Sequence, residues 1–168
     1  MCIFETRGII VPITVDSRGN EFLEWRTVNE REIGMLRLDA PLTHALIVVR
    51  CEERCLLMLN KYRACWELPG GIIEAGESPR QCILRELYEE TRQTVDNLEF
   101  AGLMKFHLQP GYQSPERIEY GALFSGAIGQ VEEFHETEEA AGITWWDMQA
   151  DIGFINEIDR KLIEYAWR

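Results

Sequence analysis

Residues 71–93 of the chain, GIIEAGESPRQCILRELYEETRQ, place a glycine-bearing loop directly before a stretch rich in glutamate. Ser78 is a favourable N-cap residue, and Pro79 stands at the first helical position, where proline is well tolerated. No further glycine or proline follows until Gly102. The segment therefore predicts a helix over residues 78–92.

Three glutamates of this helix are predicted to share one side of it. At about 100° of rotation per residue, Glu86, Glu89 and Glu90 fall within an arc of roughly 100°. The apolar residues Ile83 and Leu87 form the neighbouring stripe, which is expected to face the core. Like charges at these spacings repel by a few tenths of a kcal/mol per pair. A solvated acidic surface and a site for a hard cation such as Mg²⁺ or Mn²⁺ both fit this pattern.

The loop before the helix favours the second interpretation. Gly70, Gly71 and Gly76 allow backbone conformations that are closed to other residues, and they let a ligand approach the chain closely. A tight structural turn would use the same glycines, so the loop alone does not decide. A glycine-bearing loop that leads into a helix lined with carboxylates is suited to a metal-bridged phosphate.

The segment resembles the Nudix box, whose pattern is Gly, five residues, Glu, seven residues, then Arg-Glu-apolar-any-Glu-Glu-any-Gly-apolar. Gly71, Glu77 and the run at 85–91 match it in register, so the box spans residues 71–93. The preceding residues 66–70, WELPG, also look like the family.

Two positions depart from the pattern near the end of the box. Arg92 stands where the family has glycine, and Gln93 stands where it has an apolar residue. Because that glycine normally provides a left-handed C-cap, the way in which the helix ends is in question. The acidic residues of the box are untouched.

The resemblance implies a Nudix fold of the α/β class (α+β type), with a mixed β-sheet sandwiched between helices in a single domain over residues 1–168. It implies a Mg²⁺ cofactor, for which Mn²⁺ can substitute, bound by side chains of the helix and one backbone carbonyl: Glu86, Glu89, Glu90 and Gly70. Arg85 and Glu77 look like the pair that braces the helix. The other expected roles are catalytic for Glu89 and Arg85 and substrate-binding for Gly71 and Glu74.

Two features outside the box are similar to the branch of the family that cleaves nucleoside-diphosphate sugars. Arg63, after Tyr62, resembles part of a Tyr-Arg pair seen in those enzymes, which implies that Arg63 binds substrate. An exposed turn explains it equally well. The loop at 109–117 resembles a loop of ADP-ribose hydrolases that carries a proline and then a catalytic glutamate. Glu116 is therefore expected to act as a base or extra metal ligand, and the alternative is a solvent-facing loop acid.

The remaining elements are predicted from apolar patterns. An N-terminal β-hairpin pairs a strand at 9–15 with one at 21–28 around a turn. The other predicted elements are a second, mostly buried hairpin (44–50 and 55–60), short strands at 66–68 and 143–146, strands at 98–104 and 118–128 joined by a loop at 107–116, and a closing amphipathic helix at 155–167. Residues 29–41 are ambiguous.

Charge and composition limit the kinds of partner that the protein is expected to bind. Acidic residues outnumber basic ones 29 to 17, a net charge of −12, and no basic patch suggests nucleic-acid binding. No apolar run approaches the ~20 residues that would span a membrane, and the N-terminus does not resemble a signal peptide. With five cysteines and no CxxC pair, reduced thiols in the cytoplasm are expected. The expected partner is a small nucleotide, and a homodimer formed through the N-terminal hairpin is plausible.

Three functions are in competition. The first is a diphosphatase that acts on ADP-ribose or a related nucleoside-diphosphate sugar, which the features at Arg63 and Glu116 favour. The second is a MutT-like enzyme that hydrolyses nucleoside triphosphates, including oxidised purine forms, which the modest length of the chain fits. The third is a non-catalytic module that senses a nucleotide. Since such a module is expected to have lost box acids, the presence of all three argues against it.

Overall fold

The computed structural model describes residues 11–111 and 114–167. Within these residues a mixed sheet of nine strands has the order β1-β2-β7-β8-β3-β4-β5, with β6 added beside β3 and β9 beside β4. The strands are β1 Thr14–Val15, β2 Glu21–Arg26, β3 Leu42–Cys51, β4 Arg54–Asn60, β5 Cys65–Glu67, β6 Gly70–Ile72, β7 Asn97–Leu108, β8 Arg117–Ala127 and β9 Ala140–Trp146. The helices are α1 Pro79–Thr91 and α2 Glu157–Ala166.

The two helices cover opposite faces of the sheet. Ala45, Ile47 and Val49 of β3 belong to a buried cluster that includes Ile83 and Leu87 of α1. The intervening residue Val48 belongs to a second cluster, which contains the apolar side of α2. Because successive side chains of a strand point to opposite faces, β3 is buried on both sides. The predicted mixed sheet between helices is confirmed.

The N-terminal hairpin is present, with Thr14 paired to Phe22 and Val15 to Glu21. Its second strand joins the main sheet by pairing with β7. The predicted start of the first strand, at 9–10, lies outside the described residues. The ambiguous segment contains a short 3-10 helix, Glu30–Met35, capped by the Asn29 side chain.

The second hairpin is confirmed only at its turn, where Arg50 pairs with Cys55 and Cys51 with Arg54. Beyond that point the two strands diverge. β3 lies between β8, which runs parallel to it, and β6, whereas β4 takes β5 and β9 as neighbours. Both strands are apolar on both faces, so each is buried in the interior of the sheet and needs a partner on either edge.

Several boundaries differ from the sequence prediction, and two of the differences have a clear physical reason. The segment Gly70–Ile72, predicted as loop, is a strand, because its glycines let it approach β3 so closely that a Cβ on Gly70 would collide with the carbonyl oxygen of Ala45. β7 continues through His107 and Leu108, because both pair with β8. The loop that was predicted to begin at residue 107 therefore begins after Leu108.

Helix α1 begins with a full capping box formed by Ser78 and Gln81. It ends at Arg92, which takes the left-handed conformation itself, with φ of 62°. The Arg92 guanidinium lies 5.3 Å from the centre of the Tyr88 ring. Arginine therefore occupies the backbone conformation for which the Nudix box normally supplies glycine.

This cap leads to a stability prediction. Arg92→Gly is expected to raise the free energy of unfolding by roughly 0.5–1 kcal/mol, because a left-handed conformation costs a non-glycine residue about 1 kcal/mol or more. Arg92→Ala keeps that strain and loses the contact with Tyr88, so it is expected to be less stable than wild type. Urea denaturation in chelator measures both variants, and equal stability of the two would contradict the argument.

The four cysteines in the described residues, Cys51, Cys55, Cys65 and Cys82, are free thiols. Burial raises the pKa of the Cys55 thiol to about 12, so it behaves as a small apolar core residue. Neither helix is long and apolar enough to cross a membrane.

Candidate active site

Arg85 joins the glycine loop to helix α1. Its guanidinium donates to both carboxylate oxygens of Glu77, at 2.9 Å each, and to the carbonyl oxygen of Ile72 at 3.1 Å. The hydrogen bonds from Arg85, and one from the backbone N–H of Glu74, lower the pKa of Glu77 to about 2. These contacts agree with the bracing role predicted for Arg85 and Glu77.

The three box glutamates of α1 line one cavity of about 480 Å³. Glu90 lies deepest, with 5% of its surface exposed, and Glu89 is largely exposed. The cavity is closed on its other side by residues 136–139, a segment far along the chain. The helical-wheel prediction that the three carboxylates share one side of the helix agrees with this arrangement.

Glu90 binds the glycine strand. Its Oε2 accepts a hydrogen bond of 2.9 Å from the backbone N–H of Gly70. Burial, with smaller contributions from the charges of Glu86 and Glu139, raises the pKa of Glu90 to about 8. A buried carboxylate of this kind is poorly stabilised when it is ionised without a nearby cation.

Glu86 lies against the same strand. A Cβ on Gly71 would collide with the Glu86 carboxylate, so glycine is required for this contact. Glu86 accepts a hydrogen bond of 2.7 Å from Arg85 Nη1, which also reaches Glu89 at 3.2 Å. Burial raises the pKa of Glu86. In the structure the Arg85 guanidinium is thus the positive charge that contacts the carboxylates of Glu86 and Glu89.

The donor types suit a divalent cation, since carboxylate and carbonyl oxygens are the ligands that Mg²⁺ and Mn²⁺ prefer. Within the residues described, however, no three acidic, histidine or cysteine side chains converge closely enough to enclose an ion. Instead, the Glu86 carboxylate accepts a hydrogen bond from Arg85, and the Glu90 carboxylate accepts one from the Gly70 N–H. The residues fit the cation in the chemistry of their donor atoms and in the cavity that they share, but their carboxylates do not converge on one point in this arrangement.

The sequence analysis missed the acidic segment at 136–139, whose residues Glu136, Glu138 and Glu139 line the same cavity as the box glutamates. A run of glutamates in a loop is ordinarily a solvated surface, and nothing in its local pattern indicates the box as a neighbour. Only the pairing of β9 with β4 brings it there.

Lys61 holds this segment from one side. Its backbone N–H donates to the carbonyl oxygen of Glu139 at 2.8 Å. Its Nζ donates to the carbonyl oxygen of Thr137 at 2.5 Å and lies 2.6 Å from Glu136 Oε1. Three contacts from one lysine therefore fix the backbone next to Glu139.

Gln93 holds the same loop nearer its start. The side chain is fully buried, and its amide pairs with the backbone of Glu132 through both groups, at 2.8 and 2.9 Å. Gln93 stands at the box position where the family has an apolar residue. This departure is thus explained, because a buried amide needs hydrogen-bonding partners and the acidic loop supplies them.

A second cavity, of about 330 Å³, lies on the α2 side of the sheet, and Gly70 and Gly71 form part of its wall. The glycine strand β6 therefore contacts the box glutamates and also borders this cavity. Arg63 lines it and holds Glu67 through two hydrogen bonds of 2.5 and 2.7 Å. Asp159 also lines this cavity; burial raises the pKa of its carboxyl group, and one of its oxygens accepts a hydrogen bond from the N–H of Leu68.

Besides Arg85 and Glu77, whose side chains bond each other, two predicted site residues line neither cavity. Glu116 accepts a hydrogen bond from His107 Nε2 at 2.6 Å, and His107 Nδ1 contacts Glu21 at 2.7 Å. Glu116 is thus held on the β7–β8 hairpin, away from the residues that line the box cavity. Glu74 is exposed in the box loop and lines neither cavity.

The contact of His107 with two carboxylates predicts a pH-dependent contribution to stability. The hydrogen bonds that the His107 ring donates, the one to Glu21 with the larger effect and the one to Glu116 with the smaller, raise the pKa of His107 above its ordinary value near 6.5. Stability gained from a raised pKa is fully present below the unfolded-state value and is lost as pH rises through the folded-state value. His107→Gln is therefore expected to destabilise the protein at pH 5.5–6.5 and to have little effect near pH 9. Denaturation curves across that range measure the difference, and a pH-independent loss would contradict it.

Comparison with known proteins places this site in a family. The family model described as "NUDIX domain" matches residues 39–165. A Bacillus subtilis (strain 168) protein provisionally named an 8-oxo-dGTP diphosphatase is 27% identical over 100 residues, which are 60% of this chain and 62% of that protein. The chain thus spans less than two thirds of the length of this relative.

Solved structures share the fold. The Bacillus subtilis pyrophosphohydrolase BsRppH is 20% identical, with a TM-score of 0.64 over 88% of this chain and 87% of that one. The NUDIX domain of Shewanella oneidensis NrtR, solved with ADP ribose, is 18% identical, with a TM-score of 0.57 over 83% of this chain and 96% of that one. The chain belongs to the Nudix family, and the resemblance of residues 71–93 to the Nudix box is confirmed.

Proposed function

We propose that this protein is an enzyme that hydrolyses the diphosphate bond of a small nucleotide derivative, with Mg²⁺ as cofactor and Mn²⁺ as a substitute. The observation that carries the proposal is the position of β6. The strand contacts Glu86 and Glu90 of the box and also forms the wall of the 330 Å³ cavity. A diphosphate at the glycine strand would lie beside the box acids, with its nucleoside part in the cavity.

The cation would be held by Glu86, Glu89 and Glu90, with the carbonyl oxygen of Gly70. When bound, a divalent ion neutralises the charge of a diphosphate and lowers the pKa of water. The protein itself orients the reacting groups. Arg85 braces the glycine loop against the helix, and Gly71, which has no side chain, lets the Glu86 carboxylate lie directly against the glycine strand.

The proton acceptor that we propose is Glu139. It is exposed in the cavity that the box acids line, and Lys61 holds its backbone. A carboxylate saturated with metal is a poor base, so an acid from outside the box is suited to take the proton of the attacking water. Glu116, for which the sequence suggested this role, is bound to His107 and remains as a comparison.

The substrate class that we favour is a nucleoside diphosphate linked to a further group, such as ADP-ribose or a nucleotide sugar. Arg63 on the cavity wall and the ADP ribose bound to the NrtR domain support it. The second candidate is a MutT-like nucleoside triphosphate hydrolase, which the name of the Bacillus subtilis relative supports. A sensing module without activity is disfavoured by the complete set of box acids.

A panel of ADP-ribose, nucleotide sugars, dGTP and 8-oxo-dGTP, each with Mg²⁺, tests the proposal by product chromatography. Cleavage at the diphosphate that stops in excess chelator and returns with Mg²⁺ or Mn²⁺ is the expected result. Full turnover in chelator would contradict the metal requirement. Binding without cleavage of any compound would favour the sensing module.

We further propose that residues 1–168 form one Nudix unit that acts on small molecules, without nucleic-acid or membrane partners. The four free thiols of the described residues agree with a reducing compartment such as the cytoplasm. Formation of a homodimer stays a prediction that light scattering can measure.

A further inference from the structure

His44 lies in the wall of the 330 Å³ cavity and has no role in the sequence analysis. We propose that His44 is a substrate-binding residue whose Nε2 hydrogen-bonds a phosphate oxygen where the diphosphate enters the cavity, and that Glu119 positions it. The inference rests on the proposed function and names a contact in the same site.

The place of His44 in the sheet supports this contact. On β3 it pairs with Ile72 of β6, one residue beyond the pair Ala45–Gly71. Its side chain lines the cavity on the face opposite α1, as do those of Leu46 and Ile72. Gly71 meets the Glu86 carboxylate at the same edge of the sheet. A diphosphate that lies across the glycine strand from the box acids therefore reaches His44 on entering the cavity.

Glu119 fixes the orientation of the ring. Its Oε1 lies 3.2 Å from His44 Nδ1, and its other oxygen accepts from Arg117 Nε at 2.6 Å. Although burial of Glu119 disfavours its charge, the hydrogen bonds from His44 and Arg117 lower its pKa to about 2. Thr43 Oγ1 lies 3.1 Å from the same Nδ1. Both neighbours of the ring thus engage Nδ1 and leave Nε2 as the ring atom for a ligand. Among the described residues, no hydrogen bond engages His44 Nε2.

Gly121 provides the space for this orientation. It lies beside His44 in the parallel pairing of β3 with β8. A Cβ there would come within 2.5 Å of His44 Nε2 and 2.8 Å of Cε1. Glycine inside a strand weakens it, so its presence in the central pair is explained by the room that the ring needs. Phe106 packs on the ring, with the two ring centres 5.5 Å apart.

The main alternative is that the His44–Glu119 pair only joins β3 to β8. Two substitutions separate these roles. In His44→Asn the amide can replace Nδ1 in the contact with Glu119, but it cannot reach the position of Nε2. In His44→Gln the longer side chain places an amide near the Nε2 position. A structural pair requires the Nδ1 contact, whereas a substrate contact requires the Nε2 position.

The experiment measures kcat and KM with Mg²⁺ for ADP-ribose or dGTP, whichever the wild type cleaves faster, and thermal unfolding of each variant. His44→Asn is expected to raise KM by about 10- to 100-fold with a small change in kcat, as for a lost hydrogen bond to a charged group. His44→Gln is expected to recover most of that loss. Glu119→Gln, which weakens the orientation of the ring, is expected to raise KM by less than His44→Asn does.

Unchanged KM in His44→Asn, or KM values that follow thermal stability across the three variants, would overturn the inference. Calorimetric titration of metal-free protein with ADP-ribose separates this failure from failure of the proposed function. If wild type binds ADP-ribose but cleaves no diphosphate, the proposed function fails while weaker binding by His44→Asn still supports the contact. If wild type neither binds nor cleaves, both fail.

Discussion

Glu90→Gln is expected to lower the rate of Mg²⁺-dependent diphosphate hydrolysis by about 10²–10⁴-fold, since several kcal/mol of transition-state stabilisation come from a correctly held cation. Glu90 is the most deeply buried of the three box glutamates and contacts the glycine strand through Gly70. A neutral amide there removes one negative ligand from the proposed cation site. Steady-state kinetics across a Mg²⁺ titration measure the loss.

The same variant is expected to fold at least as stably as wild type in chelator. The Gln side-chain oxygen can keep the hydrogen bond from the Gly70 N–H, and burying an amide avoids the unfavourable burial of an ionised carboxylate. Glu74→Gln is the matched control, because Glu74 lies in the box loop, exposed and outside both cavities. Near wild-type activity for Glu90→Gln, or an equal loss for Glu74→Gln, would remove Glu90 from the proposed site.

The second large effect is expected at Glu139. Glu139→Gln is predicted to lower kcat by about 10²–10⁴-fold, the range for loss of a general base. If Glu139 binds metal instead, the variant will need more Mg²⁺ and will recover at high concentration. Glu133→Gln is the control on the same acidic loop, since Glu133 is exposed and does not line the box cavity.

Glu116→Gln completes this comparison. With Glu116 held by His107, its substitution is expected to leave turnover close to wild type on both ADP-ribose and a nucleoside triphosphate. A loss at Glu116 with none at Glu139 would reverse the assignment, and it would restore the sequence argument that linked Glu116 to nucleoside-diphosphate sugars. Unchanged rates in both variants would leave a box glutamate as the base.

The sequence predicted the parts of the site that are local in the chain. Capping residues, glycines and the helical spacing of Glu86, Glu89 and Glu90 act within 23 residues, so their pattern is readable without knowledge of the fold. The sequence also indicates that the end of α1 is unusual, because Arg92 stands where the family has glycine. In the structure Arg92 itself adopts the left-handed conformation.

The parts of the site that the sequence does not predict depend on contacts between segments that are distant in the chain. Glu139 reaches the box through β9, and His44 meets Glu119 only because β3 and β8 run side by side. A full hairpin of β3 and β4 was the natural prediction from two apolar runs around a polar turn. Two apolar segments that are adjacent in the chain commonly pair with each other. Here β3 pairs along most of its length with β6 and β8, and β4 pairs with β5 and β9.

The pairing of β3 with β8 also sets the order in which the chain can fold. Ala45 pairs with Ala122, so the chain between them, which includes the box and β7, forms a long loop that must be closed when this parallel pair forms. Closing so long a loop costs conformational entropy before the contacts between its ends contribute any stability. Domains dominated by contacts between distant segments fold in milliseconds to seconds. Helix α1 can form locally, whereas the His44–Glu119 pair can assemble only with the central sheet. Stopped-flow refolding is therefore expected to show helical signal before substrate-binding competence.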